Sequence, residues 1–291
     1  MQLIYRGSVN QWECDENQHL NVRYFLTRHQ QILQGGLLQA GLCDPSNAAQ
    51  LANTVTLQHL RFIQEARLAE PLSGYFGWAQ TEAGGPRIVT EIRHSHTDEV
   101  MCSCVHEIAL DQLHPDPPNL QPWQGSRGVP DNESPYVGCS VDEALGLGFF
   151  HIGAGVVQAD ETCSQGQIAL PTYMGRISDA MPHLWQHVRG DDGVDGDGQG
   201  GAVLEYRLRY HRLLQVGEIF NIYGGLAAAE GKLQRFVHLI FDVDGKLTVS
   251  TQTAGVRLDL VARKAIAMDP DTLARLQPII LRKPSGVAVV S

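Results

Sequence analysis

An acid, an amide, an imidazole and a second amide crowd one short stretch of this chain. They are Asp15, Asn17, His19 and Asn21, within Trp12-Glu13-Cys14-Asp15-Glu16-Asn17-Gln18-His19-Leu20-Asn21-Val22-Arg23-Tyr24. A strand-like run at 3–9 leads in and a helical pattern at 24–40 leads out, so the four groups sit in the loop before a helix N-terminus. Free backbone N–H groups and the positive end of the helix dipole gather there. A carboxylate in that position can act as base or nucleophile while amides hold a developing oxyanion. Capping accounts for one such residue, because Asp and Asn are common just before helices. It does not account for four polar groups beside a tryptophan.

The elements that must position this loop follow from periodicity. In the first helix Tyr24, Phe25, His29, Ile32, Leu33, Leu37 and Leu38 recur at three and four, which turns one stripe toward a core. Gly35-Gly36 interrupts the stripe and is expected to let the helix approach a sheet closely. Gly41, with Pro45 beyond it, ends the helix. Strand-like runs follow at 54–63, 72–81, 87–96 and 101–111, broken by Glu70-Pro71, Gly84-Gly85-Pro86 and Thr97-Asp98-Glu99. Residues 113–135 are proline-rich and aperiodic, a semi-rigid linker in which Trp123 is expected to pin the segment to a domain surface.

The same order then begins again: a strand at 149–157, a helix at 171–187 and strands at 202–212, 218–229, 232–242 and 247–258. Pro182 is expected to kink or end the regular part of the second helix. Asp244-Gly245 is a hairpin turn, and Asp269-Pro270 opens a short last helix. The expected domains are therefore 1–112 and 136–291, joined by the linker. An offset of 148 residues aligns Val9 with Val157 and Leu26 with Met174 without a gap. In that register Glu13 meets Glu161 and Arg28 meets Arg176, whereas Asp15, His19 and Asn21 meet Cys163, Gln167 and Ala169. The second copy keeps the frame and loses the chemistry.

Composition bounds the partners. The 291 residues, 43% of them apolar, suffice for two ordinary cores. A formal charge of −10 argues against nucleic acid or an anionic membrane as the main partner. No signal peptide and no membrane-length apolar run is read, and six scattered cysteines fit a reduced cytoplasm. Cys102 and Cys104 would share one face of a strand. Asp191 to Gly198 is acidic but lacks the calcium-loop spacing and its closing Glu, so it is read as an insertion between helix and strand. Cys14 beside Asp15 has no visible activating base and is taken as packing. Ser178 and Asp179 in the second helix are read as polar or interface residues. No serine-hydrolase elbow, phosphate loop or paired zinc pattern is present, and no cofactor or metal is expected.

The run from Asp15 to Tyr24 resembles the Asp-x-Asn-Gly-His-(Met/Val/Leu)-Asn…Tyr signature of hotdog-fold acyl-CoA and acyl-carrier-protein thioesterases, the 4-hydroxybenzoyl-CoA thioesterase-like superfamily. The resemblance is strongest over 1–111 and weaker, as a second copy, beyond. It departs at Gln18, where the family has Gly; a positive φ there would oblige the loop to adjust. The resemblance implies an α+β fold of two tandem hotdog domains, each a curved antiparallel sheet wrapped around one long central helix. It implies thioester hydrolysis with Asp15 as general base or nucleophile and backbone N–H groups near Val22 as the oxyanion hole. His19 would orient water or the acyl carbonyl, and Asn21 would hold water or cap the helix. Asn17, Tyr24 and Glu65 would contact substrate, Tyr24 as wall. Glu65, in Leu60-Arg61-Phe62-Ile63-Gln64-Glu65, is by itself a surface salt-bridge former. The partner would be an acyl-CoA or acyl carrier protein, and the chain would pair again as a dimer. A double-hotdog enoyl-CoA hydratase or dehydratase, or a non-catalytic acyl-CoA-binding protein, are the alternatives.

Overall fold

The computed structural model describes residues 1–15, 18–80, 86–108, 120–123, 125–188, 199–259, 261–262 and 264–284. Asn17, Gly84-Gly85, part of the proline-rich stretch and the acidic run at 191–198 lie outside the described residues. The chain divides into two compact units, Met1–Gly125 with Ala159–Gly175, and Ser126–Gln158 with Arg176–Ser291. The loop that repeats the polar motif thus groups with the first unit.

The first unit runs β1 (Gln2–Ser8), α1 (Val22–Gln39), a short α2 (Ala48–Ala52), β2 (Val55–Phe62), β3 (Pro71–Gln80), β4 (Pro86–His94), β5 (Val100–Ile108) and a two-residue β6 (Gln121–Pro122). Its sheet has the order β1-β3-β4-β5-β2, antiparallel throughout, with β6 parallel to β3. The second unit runs α3 (Val141–Leu147), β7 (Phe150–Val156), α4 (Leu170–Val188, whose first turns group with the first unit), β8 (Gln199–Tyr210), β9 (Ile219–Glu230), β10 (Leu233–Asp242), β11 (Leu247–Asp259), β12 (Lys264–Ile266) and α5 (Pro270–Leu276). Its order, β8-β11-β10-β9-β7, repeats that of the first, and β12 pairs with β11. The architecture is α+β, two tandem hotdog domains.

The apolar stripe of α1 buries Phe25, Leu26, Ile32, Leu33 and Leu37. The glycine pair does what its position suggests. A Cβ on Gly36 would collide with the Phe76 ring of β3, and one on Gly35 with Ile4 of β1. The repeat solves the same contact in reverse. Because Gln2 pairs with Phe76 and Phe150 with Gly224, Phe76 and Gly224 are equivalent, and Leu184 of α4 stands in place of Gly36 against that glycine. A second pair trades likewise: Ile32 packs on Gly74, whereas Ala180 packs beside Gly153 and Ile222. Large and small side chains alternate across the facing elements, so each core reaches close packing.

Between α1 and the sheet runs a buried polar chain. His29 Nδ1 lies 2.7 Å from Thr90 Oγ1, which lies 2.9 Å from His106 Nε2. Gln58 Nε2 donates to His106 Nδ1 at 3.2 Å, and His29 Nε2 meets Cys102 Sγ at 3.2 Å. Since Gln58 can only donate through nitrogen, His106 accepts at Nδ1 and donates from Nε2, and Thr90 donates to His29. Both rings are then neutral. Burial lowers His106 to about 3, and burial plus the neighbouring His106 lowers His29 well below its ordinary value. Cys102 and Cys104 are both buried, share that face and are free, with thiols raised by burial.

The second helix runs over the range expected of it, through Pro182 to Val188, so the proline does not end it; the one hydrogen bond that proline forfeits is outweighed by burial of Leu184 and Val188 beyond it. α2 and α3 were not expected. α3 starts at a capping box, Ser140 with Glu143, and stops at Gly148 with φ 104°. The segment after residue 120 is fixed at two points. Trp123 packs on Ala79, Val89 and Val105 with the Arg61 guanidinium 5.7 Å from its ring. In the second unit the buried Glu205 carboxylate accepts from Arg127 N, Gly128 N, Val129 N and the Ser126 hydroxyl at 2.6–3.2 Å.

Candidate active site

The polar loop is built from the chain direction of β1. After Ser8 the backbone makes a 3-10 turn, Gln11–Glu13, and Cys14 bridges Leu20 in antiparallel fashion. Asp15 N donates to His19 O at 2.8 Å and Gln18 N to Asp15 O at 3.0 Å, closing a tight loop. The loop demands a left-handed residue, and Gln18 supplies it with φ 62°. In the repeat Gly166 occupies the same place with φ 73°. There Cys163 N donates to Gln167 O at 2.8 Å and Gly166 N to Cys163 O at 2.9 Å. The backbone of the two loops is therefore one design, with the acid, imidazole and amide side chains present only in the first copy.

Asp15 is half-buried, and its Oδ1 accepts the His19 backbone N–H at 3.0 Å. His19 is 9% exposed and bridges Arg67, while Leu20 N donates to Ala66 O at 2.7 Å. These contacts seat the motif on the segment after β2 and bring Glu65 to it. His19 Nε2 lies 3.4 Å from Glu65 Oε2. His19 thus touches both carboxylates, one through its backbone and one through its ring.

Asn21 is the N-cap of α1, its Oδ1 accepting Arg23 N at 2.9 Å and its own N–H donating to Glu13 O at 2.9 Å. Its side chain therefore caps. Val22 is the first helical residue, so its N–H belongs to the donors that a helix leaves open at its start. Tyr24 sits half-buried in the first turn, with the Arg23 guanidinium 5.9 Å from its ring. Asn17 lies outside the described residues. Of the seven residues singled out from the sequence, Asp15, His19, Asn21, Val22, Tyr24 and Glu65 are gathered around one helix entrance. Cys14 packs beside them, its thiol raised by burial and by the charges of Asp15 and Glu13. Among the described residues no cluster of His, Cys, Asp and Glu is arranged to hold a metal ion, and no helix is long and apolar enough to cross a membrane.

Sequence reading passed over one partner set, although the repeat carried its signal. The Arg28 and Glu13 side chains, 4% and 12% exposed, form an ion pair at 2.6 Å behind the loop. Burial pushes the Glu13 carboxyl up, but hydrogen bonds from Arg28 and Asn10 with the Arg28 charge outweigh it and hold the group below the usual carboxylate value. These are the two residues that survive as Glu161 and Arg176.

No protein-family description and no curated protein matches this sequence significantly. Solved structures do match the fold. An acyl-ACP thioesterase from Bacteroides thetaiotaomicron superposes with a TM-score of 0.56 at 10% identity, over 86% of this chain and 96% of that one. A Lactobacillus plantarum protein assigned as an oleoyl thioesterase gives 0.59 at 11% identity, over 87% and 94%. The 12:0-ACP thioesterase from Umbellularia californica gives 0.56 at 9% identity, over 87% and 96%. At such identities the likeness is one of fold.

Proposed function

We propose that this protein hydrolyses an acyl thioester, of coenzyme A or of an acyl carrier protein, at the entrance of α1. One observation carries the reading: His19 holds the Asp15 carboxylate through its backbone N–H and meets Glu65 with its ring, at the start of a helix. In the proposed reaction Asp15 takes a proton from water, or attacks directly, and a new C–O bond forms at the thioester carbonyl. The carbonyl oxygen gains negative charge, which the Val22 N–H and the helix N-terminus favour more in the transition state than in the ground state. As the C–S bond breaks, the thiolate takes the proton that Asp15 drew from water, while the His19 ring, met by Glu65, orients water or the acyl carbonyl. Where Asp15 attacks directly, water hydrolyses the resulting acyl–Asp15 anhydride and supplies the thiol's proton. Asn17 and Tyr24 contact the substrate in this scheme. The named activities of the superposed structures agree with this class of reaction.

The test is free-thiol release from short, long and aromatic acyl-CoAs and from acyl-ACP, with wild type beside Asp15→Asn. Loss of a general base costs on the order of 10²–10⁴-fold, so the variant's kcat is expected to fall by that factor with an unchanged fold. Wild-type turnover retained in Asp15→Asn would remove Asp15 from the chemistry, and no release from any substrate would reject hydrolysis.

A further inference from the structure

We infer that the buried Glu13–Arg28 pair is the positioning device of the reactive helix entrance, a role that rests on the hydrolase reading above. Arg28 reaches back from the second turn of α1 and ties three segments together. Its Nη2 donates to Glu13 Oε2 at 2.6 Å and to Ser8 O at 3.0 Å, at the end of β1, and its Nη1 donates to Tyr24 O at 3.2 Å. Glu13 continues the chain in two directions. Its carboxylate accepts from the Asn10 N–H at 2.9 Å and the Asn10 side-chain amide at 3.0 Å, which fixes the 3-10 turn. Its backbone carbonyl accepts the Asn21 N–H, which fixes the N-cap and with it the direction of the Val22 N–H.

The repeat separates this role from chemistry. Ala169 N donates to Glu161 O at 2.8 Å, reproducing the 2.9 Å bond from Asn21 to Glu13, and Glu161 is buried where Glu13 is only partly so. Asp15, His19 and Asn21 have no counterparts there, yet the glutamate, the arginine and the junction bond persist. What persists without the reactive side chains serves the backbone. In the first copy that backbone carries the candidate oxyanion donor, so a small rotation of the junction matters to rate there and nowhere else. Neither residue reaches substrate; both act through Asn21 and Val22.

The experiment compares Glu13→Gln with Glu161→Gln in the full chain, reading kinetics and amide hydrogen exchange. A misplaced donor costs on the order of 10²-fold in rate, so Glu13→Gln is expected to lower kcat by about that factor with KM within about twofold. The Asn21 amide should exchange about tenfold faster or more, as a locally opened bond does. Glu161→Gln should speed exchange at Ala169 and leave kcat at the wild-type value. Arg28→Lys, which keeps the charge but loses the fork, should show the Glu13→Gln pattern in milder form and serves if Glu13→Gln folds poorly. Wild-type kcat in Glu13→Gln, or equal losses in Glu13→Gln and Glu161→Gln, would overturn the assignment. Should the wild type release no thiol, the hydrolase reading fails alone and exchange decides: an unchanged Asn21 amide in Glu13→Gln then overturns the positioning role.

Discussion

Gln18 is a costly residue for its position. An L side chain held at φ 62° gives up about 1–2 kcal/mol relative to glycine, while glycine returns about 0.4–1 kcal/mol of that through its freer unfolded chain. The balance makes Gln18→Gly neutral to mildly stabilising, by up to about 1 kcal/mol. Gly166→Ala should lose about 1 kcal/mol, since the same φ is there met by the residue that suits it. Urea unfolding of the two variants checks both signs, and a clear loss in Gln18→Gly would mean that the Gln18 side chain contributes contacts of its own. At the same scale Asp15, His19 and Asn21 drew attention as candidates because an acid, an imidazole and an amide fall together in one short stretch before a helix, whereas Val22 and Glu65 were singled out only through the resemblance. Glu13 and Arg28 were not singled out, because an acid and a base fifteen residues apart announce no contact until β1 and α1 are folded together.

Among elements, the exchange of large and small residues between helix and strand ties each α-helix to its own sheet. Gly36→Ala places a methyl group into the Phe76 ring, and overpacking of that kind costs about 1–3 kcal/mol. Phe76→Ala alone opens a cavity worth about 3–5 kcal/mol. The double variant Gly36→Leu/Phe76→Gly mimics the Leu184/Gly224 arrangement of the repeat and is expected to be more stable than the sum of its single changes. A double-mutant cycle by urea denaturation measures that coupling, expected in the range of about 0.5–3 kcal/mol; strict additivity would refute it. The glycine pair revealed a close approach from sequence alone. Its partner in β3 was hidden, because register between strands depends on pairings that span dozens of residues.

At the scale of the molecule, the buried rings of His29, His106 and His238 make stability depend on pH. His106 and His238 are lowered to about 3 by burial, and His29 well below its ordinary value by burial and by His106. The unfolded rings titrate near 6.5, so below that pH the unfolded chain binds more protons than the folded one. The stabilising contribution of His106 and His238 is complete above about pH 6.5 and is lost as pH falls toward 3, by about 1.4 kcal/mol per pH unit for each ring, and His29 acts in the same direction. The depressed carboxyls of Glu13, Glu218 and Asp242 act in the same sense but only below the carboxylate range. Unfolding midpoints in urea should therefore fall steadily from pH 7 to 5. A flat profile across that window would mean that the rings are protonated in the folded protein.

By itself the sequence determined what depends on short-range pattern. Periods of two and of three to four placed the strands and central helices, the 148-residue offset brought out the repeated order of elements, and residue chemistry singled out the loop before α1 as the candidate site. Tertiary structure decided what depends on distant segments meeting. It brought Glu65 to 3.4 Å from His19, carried α4 through Pro182 on the strength of its buried last turn, and folded Ser126 to Val129 around the Glu205 carboxylate. The division is physical. Backbone sterics and hydrophobic periodicity act over a few residues and are written in local order, whereas strand registers, buried polar chains and contacts between distant segments arise only when long-range packing brings those segments together.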